Sequence, residues 1–233
     1  DPLANGPDNF RDAIDFALSE KLPGVYAAWK NPGEPTNIHL ATRLLPCDIH
    51  DDGFRSAMGL HFGTVRDGDF QRNAVEGNPS RSHLAKATDE GIWKTSRRFA
   101  SEGAGFERRV LVLPAVPGTD HSWFDPDQGW KAVVQLAYHS GTADSGESPG
   151  SLSDLARRCK GSAIPLVVGP CRHGATPYSS VERLRALGVV FAPSMTESAL
   201  VATLRRLLGT GQDLSRLSES IAFDLLPETN FRS

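Results

Sequence analysis

The spacing of apolar and polar positions along the chain predicts a mixed series of helices and strands. Over residues 8–21, Phe10, Ala13, Ile14, Ala17 and Leu18 recur with a 3.6-residue period and form one stripe, so this stretch predicts an amphipathic helix. Pro7 and Asp8 suit its first turn, and Pro23-Gly24 stops it. Val25 to Trp29 is short and apolar and predicts a strand. A turn at Asn31-Pro32-Gly33-Glu34-Pro35 leads to a second strand over 37–45. Residues 61–71 predict a hairpin, because Arg66-Asp67-Gly68-Asp69 places Asp-Gly where a tight turn needs positive φ. Residues 73–108 then lose periodicity and are rich in Gly, Ser, Arg and Lys. They predict an irregular connector, in part an edge strand, and a domain boundary.

Beyond this connector the pattern is regular. Strands are predicted over 109–113 and 131–137, the second an apolar run expected to be buried on both faces. Ser151-x-x-Asp154 predicts the start of a helix with Leu152, Leu155, Ala156 and Cys159 turned inward. A strand over 164–168, a helix over 181–187 closed by Gly188 and a strand over 189–191 follow. Ser194-x-x-Glu197 reads as the capping box of a last helix with stripe Leu200, Thr203, Leu204, Leu207 and Leu208, ending at Gly209. Strands alternating with helices imply a parallel sheet covered on both faces, so the second half predicts a doubly wound α/β unit.

Composition narrows the picture. A length of 233 residues suits one large domain or two small ones, and 39% hydrophobic with 23% charged residues describes a chain able to bury a core. Twenty-five basic against 28 acidic residues give a net charge of −3, which excludes a polyanion binder held by bulk positive charge. The longest apolar stretch, Ala163 to Val168, is too short to span a bilayer. Cys47, Cys159 and Cys171 cannot all pair within the chain and form no CxxC, which points to a reduced, cytoplasmic protein. The chain opens Asp-Pro-Leu-Ala-Asn without Met, and its N-terminus reads as incomplete.

Candidate chemistry lies in the loops that follow the second-half strands. Tyr138-His139-Ser140-Gly141-Thr142-Ala143-Asp144-Ser145-Gly146 is small, polar and placed where open parallel sheets bind ligands. It is neither a Walker loop nor GxGxxG, and a solvated connector is its plainer reading. Cys171 and His173 could form a thiol nucleophile and its base, but a packed thiol explains Cys171 more simply. His39, His50 and His61 could converge, yet no HExxH or paired spacing marks a metal site. Asp120-His121-Ser122 is proximity in sequence, whereas catalytic triads are spatial. The basic, aromatic stretch from Arg97-Arg98 to Arg108-Arg109 is read as a solvated face before a nucleic-acid surface.

Several segments, in collinear order, resemble the asparaginase/glutaminase amidohydrolase family, closest to its cytoplasmic type I branch. Asn5-Gly6-Pro7-Asp8-Asn9-Phe10 resembles the family's Ser-x-Asp-Gly-x-x-Asn segment. Ile38-His39-Leu40-Ala41-Thr42-Arg43 resembles a following strand, and Phe54-Arg55-Ser56 with Gly59, Gly63, Val65 and Gly68 the Phe-x-Ser and glycine segment. Val112 to Gly118 is similar to the strand ending in Tyr-Pro-Gly, and Val133 to Thr142 to the strand leading into Gly-x-Gly-Asn. Cys171-x-x-Gly174 with Tyr178, and Ser194-Met195-Thr196 with Ala199, Leu200 and Leu204, resemble later family motifs.

The resemblance implies an α/β fold in two parts. Residues 1–88 would be the end of a larger N-terminal α/β domain, 89–108 a linker, and 109–233 a smaller C-terminal doubly wound parallel-sheet domain. It implies hydrolysis of a side-chain amide to a carboxylate and ammonia without metal or cofactor, through an acyl-enzyme on a threonine. The family's Thr-Gly-Gly-Thr-type and His-Gly-Thr-Asp-Thr segments are absent from this sequence, so the nucleophile is expected upstream of Asp1 or on a partner. An intimate homo-oligomer is implied, in which Thr142, His139, Ser140 and Tyr178 would reach a neighbouring subunit's substrate. Two departures stand out: Asn5 replaces the usual Asp, and Thr142 stands near the usual Asn. They leave open a non-catalytic relative that binds an amide or amino acid or serves as a pairing subunit. An aminoacyl-tRNA amidotransferase subunit is the remaining alternative.

Overall fold

The structure is a computed structural model that describes residues 4–22, 24–48, 50–75, 77–86, 105–138, 143–171, 179–192 and 195–211. These residues belong to two compact units, one holding the described positions up to 86 and the other those from 105 onward. The chain is mixed α/β, with one antiparallel and one parallel sheet.

The first unit starts with α1 (Gly6–Glu20), followed by β1 (Tyr26–Lys30), β2 (Thr36–Leu40), β3 (Gly63–Arg66) and β4 (Asp69–Arg72). The strands form an antiparallel sheet in the order β1-β2-β3-β4, with Tyr26 opposite Leu40, Ile38 opposite Gly63 and Val65 opposite Phe70. The predicted hairpin is present. Asp67 (φ 50°) and Gly68 (φ 84°) take the two left-handed positions that join β3 to β4 without splaying them. The strand expected over 37–45 ends at Leu40, because residues 41–43 form a 3-10 turn. That turn carries Arg43 inward, where its guanidinium donates to the Gly77 carbonyl and to Asn78 Oδ1 (2.6 Å).

The helix lies where periodicity predicts it, but its buried face is not the predicted stripe. Asn9, Asp12 and Phe16 are buried, while Phe10 is 71% exposed, Ile14 43% and Leu18 68%. Polar side chains point inward because the sheet supplies their partners. Asn9 Oδ1 accepts the Lys30 N–H at 2.7 Å, and the Asp12 carboxylate accepts the Thr36 hydroxyl proton. Phe16 enters a ring cluster with Tyr26, Phe62 and Phe70, at centroid distances of 5.0, 6.3 and 4.8 Å. The connector expected to be irregular or partly an edge strand contains a short helix instead, α2 (Arg81–Lys86). Its Leu84 packs into the same core as Phe16 and Ile38, which gives this turn of helix a reason to form. Residues 87–104 lie outside the described ones.

The second unit contains β5 (Val110–Leu113), β6 (Ala132–Leu136), α3 (Leu152–Gly161), β7 (Leu166–Gly169), α4 (Ser179–Ala186), β8 (Val190–Phe191) and α5 (Glu197–Gly209). The four strands are parallel and ordered as in the sequence, with Val134 opposite Val167 and Val167 opposite Val190. Helices cover both faces. Leu152, Leu155 and Cys159 of α3 and Leu184 of α4 pack with Val133 and Val168 on one face. On the other, Leu200, Leu204 and Leu207 of α5 pack with Val110, Val134 and Val167. Burial on both sides is why these strands read as continuous apolar runs.

The predicted cap of α3 is present: Ser151 Oγ accepts the Asp154 N–H at 3.2 Å. The cap of α5 is Thr196, not Ser194; its hydroxyl oxygen accepts the Ala199 N–H at 3.1 Å. Either residue could cap in principle. From its start at Glu197 the helix buries Leu200, Thr203, Leu204 and Leu207.

Candidate functional site

Because β5 to β8 run parallel, the segments that follow them all leave from one rim of the sheet, the edge at which open α/β sheets bind ligands. The rim is braced by a buried polar network centred on Gln135, the last residue but one of β6, which is 1% exposed. Its amide group donates to the carbonyls of Leu136 (2.9 Å) and Pro114 (3.2 Å), and its oxygen faces His121 Nε2 at 2.9 Å. His121 Nδ1 lies 2.9 Å from the Gly150 carbonyl, which also accepts the His121 backbone N–H at 2.8 Å. One imidazole therefore ties the segment after β5 to the one that enters α3. Arg158 reinforces it from α3, donating to the His121 carbonyl at 3.1 Å with its guanidinium over the Phe124 ring.

Gly150 is required at this junction. Its φ is +76°, and a Cβ there would sit 2.0 Å from Asp120 Oδ1. The Asp120 carboxylate accepts from the Ser122 N–H (2.8 Å) and hydroxyl (2.9 Å), and these bonds hold it below the usual carboxylate range. Asp120, His121 and Ser122 are thus occupied in bracing the loop. Both imidazole nitrogens are engaged elsewhere, so they do not form a nucleophile and base, in keeping with their rejection as a triad.

Nearby, Asp144 Oδ1 accepts the Gly146 N–H at 3.1 Å, and the Asp144 carbonyl accepts the Leu152 N–H at 2.7 Å. The Ser153 hydroxyl donates to the Ser145 carbonyl at 2.9 Å. The predicted ligand loop is therefore anchored from Ala143 onward, and Tyr138 packs against the core at its start. Thr142, His139, Ser140 and Tyr178, the residues the resemblance assigns to a neighbour's substrate, lie outside the described residues, as does His173. Cys171 donates its N–H to the Ala192 carbonyl at 2.7 Å, and burial pushes its thiol up to about 11. Cys159, in the core beneath α3, is pushed up to about 12 for the same reason. Neither is a ready thiolate at neutral pH, which favours the packed reading of Cys171.

In the first unit, His39 and Ser56 form a buried pair, with His39 Nδ1 2.8 Å from Ser56 Oγ and His39 Nε2 without a hydrogen-bond partner among the described residues. Burial, with the nearby His61 charge, lowers the imidazole to about 4. His39 and His61 are thus close enough to interact electrostatically, yet among the described residues no three His, Cys, Asp or Glu side chains gather as metal ligands would. Asn5 has a structural use: its amide donates to the Lys30 carbonyl at 2.9 Å, a bond that the family's Asp could not make. Asp8 is held low by its hydrogen bond to Lys30 Nζ (2.6 Å) and by Arg11. Of the basic stretch, Arg109 is taken up by Glu107 in a two-pronged pair, while Arg97 and Arg98 lie outside the described residues.

The network through Gln135 and His121 was not found from the sequence, though a signal was there. A glutamine inside an apolar strand buried on both faces must find partners, and the polar segments that leave the same rim are where they lie.

No family model matches the chain, and no curated protein matches it in sequence. Its fold, however, has solved counterparts. Over 100% of its length it is similar to the thermostable L-asparaginase from Thermococcus kodakarensis, with TM-score 0.57 at 18% identity, covering 65% of that chain. Over 99% it is similar to L-asparaginase I from Vibrio cholerae O1 biovar eltor, with TM-score 0.62 at 14% identity, covering 64% of that chain. At such identities the likeness establishes an asparaginase-like fold. The chain spans about two thirds of the length of both enzymes. Among the described residues no helix is long and apolar enough to cross a membrane.

Proposed function

We propose that this chain is the larger part of an asparaginase-like amidohydrolase that releases ammonia from the side-chain amide of asparagine or a related substrate. In this reading a threonine supplied by further polypeptide, upstream or on a partner, attacks the amide and forms an acyl-enzyme, which water then hydrolyses. The observation that carries it is the match of essentially the whole chain to two L-asparaginases, each about half as long again. The surface of the first unit fits the same reading. The outer stripe of α1 (Phe10, Ile14, Leu18) is apolar and exposed, and β1 has a strand partner on one side only among the described residues. An open sheet edge beside an apolar helix face is what a unit presents when more of its sheet is to be added.

In this proposal Thr142, with His139, Ser140 and Tyr178, contacts substrate bound by a neighbouring subunit. No metal or cofactor takes part. Glutaminase activity, a cytoplasmic setting and an intimate homo-oligomer belong to the same reading.

The first test is the intact mass of the natively expressed protein, with any co-purifying chain resolved. A longer product or a bound second chain is expected, and that assembly should release ammonia from asparagine or a related amide. Thr142→Ala should then raise KM more than it lowers kcat, because it removes a binding hydroxyl and leaves the nucleophile intact. A full-length natural product without any upstream threonine segment, with no partner and no ammonia release, overturns the proposal. In that case binding of asparagine or aspartate by calorimetry would favour the non-catalytic relative, and retention of tRNA on a filter at low salt the amidotransferase subunit.

A further inference from the structure

The second unit contains an open cleft of about 550 Å³ that none of the features above uses. It lies between the segment preceding β5, the β5 and β6 strands and one side of α5. Phe106, Val112, Val201 and Ala202 give it an apolar lining, and Arg108 and Arg205 add two cationic residues to that lining. The wall is fixed, because the Glu107 N–H donates to the Arg205 carbonyl at 3.0 Å and pins the segment to the helix.

The charge balance of this cleft is unusual. Glu107, the acid adjacent to it in sequence, is committed to Arg109, whose Nε and Nη2 lie 2.9 and 2.8 Å from its two carboxylate oxygens. Among the described residues Arg108 and Arg205 have no ion pair. A guanidinium is satisfied best by the two oxygens of a carboxylate. At the other end of the cleft stands Glu197, eight residues before Arg205 and so about 12 Å away along α5. Its negative charge opposes a second anionic group on any ligand that reaches it.

We propose that this cleft binds a small monocarboxylate with an apolar body. The carboxylate meets Arg205 and Arg108, and a hydrocarbon chain lies over Val112, Val201 and Ala202 toward Ser198. Two cations attract the head group, the lining takes the chain out of water, and Glu197 selects against dicarboxylates. The site is independent of the amidohydrolase reading and stands or falls by itself.

The test is calorimetric titration of the full 233-residue chain with hexanoate, hexanamide and adipate. Hexanoate should bind at a single site, with hexanamide and adipate each weaker by about tenfold or more, as loss of a charge-assisted pair and gain of a repelled charge require. Arg205→Gln should weaken hexanoate by about tenfold and leave hexanamide unchanged. Ala202→Trp, which fills the cleft from the helix surface, should abolish binding of both, and melting curves of each variant report whether the unit remains folded. Absence of hexanoate binding at millimolar concentration overturns the proposal. So does hexanoate binding that survives both substitutions, or adipate binding as tight as hexanoate. Should Arg205→Gln fail to fold, Arg108→Gln, at an exposed position, carries the same expectation.

Discussion

The two units bury their helices by opposite rules. In the second, α5 turns Leu200, Leu204 and Leu207 onto a parallel sheet that α3 and α4 cover from the other side, and periodicity alone picks out the buried face. In the first, α1 turns Asn9 and Asp12 toward the sheet and leaves Phe10, Ile14 and Leu18 outside. The difference is one of partners. A face of aliphatic side chains needs only apolar surface, whereas a face with an amide and a carboxylate can be buried only where donors and acceptors await it. Lys30 N–H and the Thr36 hydroxyl are those partners, brought from 21 and 24 residues away. An apolar stripe thus identifies a helix reliably and its inner face only when nothing polar competes for it.

The largest contrast should come from matched leucines. Leu155→Ala in α3 removes a fully buried side chain and should cost about 2–5 kcal/mol in urea unfolding, whereas Leu18→Ala in α1 should cost under about 0.5 kcal/mol in this chain. Equal losses would mean that the α1 stripe is covered after all.

The next effect is set by pH. The unfolded chain takes up a proton at His39 near 6.5, the folded chain only near 4, so protons favour unfolding between these values. The contribution of His39 is fully present above pH 6.5 and should be lost as pH falls toward 4, by about 3 kcal/mol at most. Urea titrations at pH 7 and 4.5 read it, and in His39→Gln that part of the pH dependence should vanish. A slope unchanged by the substitution would assign the dependence to other groups.

Asp12→Ala should cost about 1–3 kcal/mol, since it strands the buried Thr36 hydroxyl, and Asp12→Ala combined with Thr36→Val should recover part of the loss. A double variant no more stable than the single one would show that the pair is not coupled. The smallest effect separates the two possible caps of α5. Thr196→Ala should cost about 1 kcal/mol and Ser194→Ala close to nothing, and the reverse order would move the helix start back to the predicted box.

Much of the fold was legible along the chain. The Asp67-Gly68 turn could be read because two left-handed residues in succession suit few sequences, and β6 because a run such as Val133-Val134 has no exposed face to spare. The Ser151 cap was legible because its partner lies three residues on. Less of the candidate site could be read. The bonds that brace the rim join His121 to Gln135 and Gly150, which are 14 and 29 residues away, and no local pattern encodes such pairs. The cleft beside α5 was invisible for the same reason, since Arg108 and Arg205 share it only after the sheet has formed.

By itself, the sequence determined most of the helices and strands (α2 excepted), where the hairpin turns, that the second half carries a parallel sheet, and a collinear resemblance that the fold then matched. These follow from local chemistry and from periodicity, which a single chain displays along its length. Tertiary structure alone decided which face of α1 is buried, that Thr196 begins α5, and that Gln135, His121 and Gly150 form one brace. Each of those depends on groups distant in sequence, or on which way a helix must turn to meet its sheet. Burial of a polar group is settled by the partner that reaches it, and that partner is fixed only when the chain has folded.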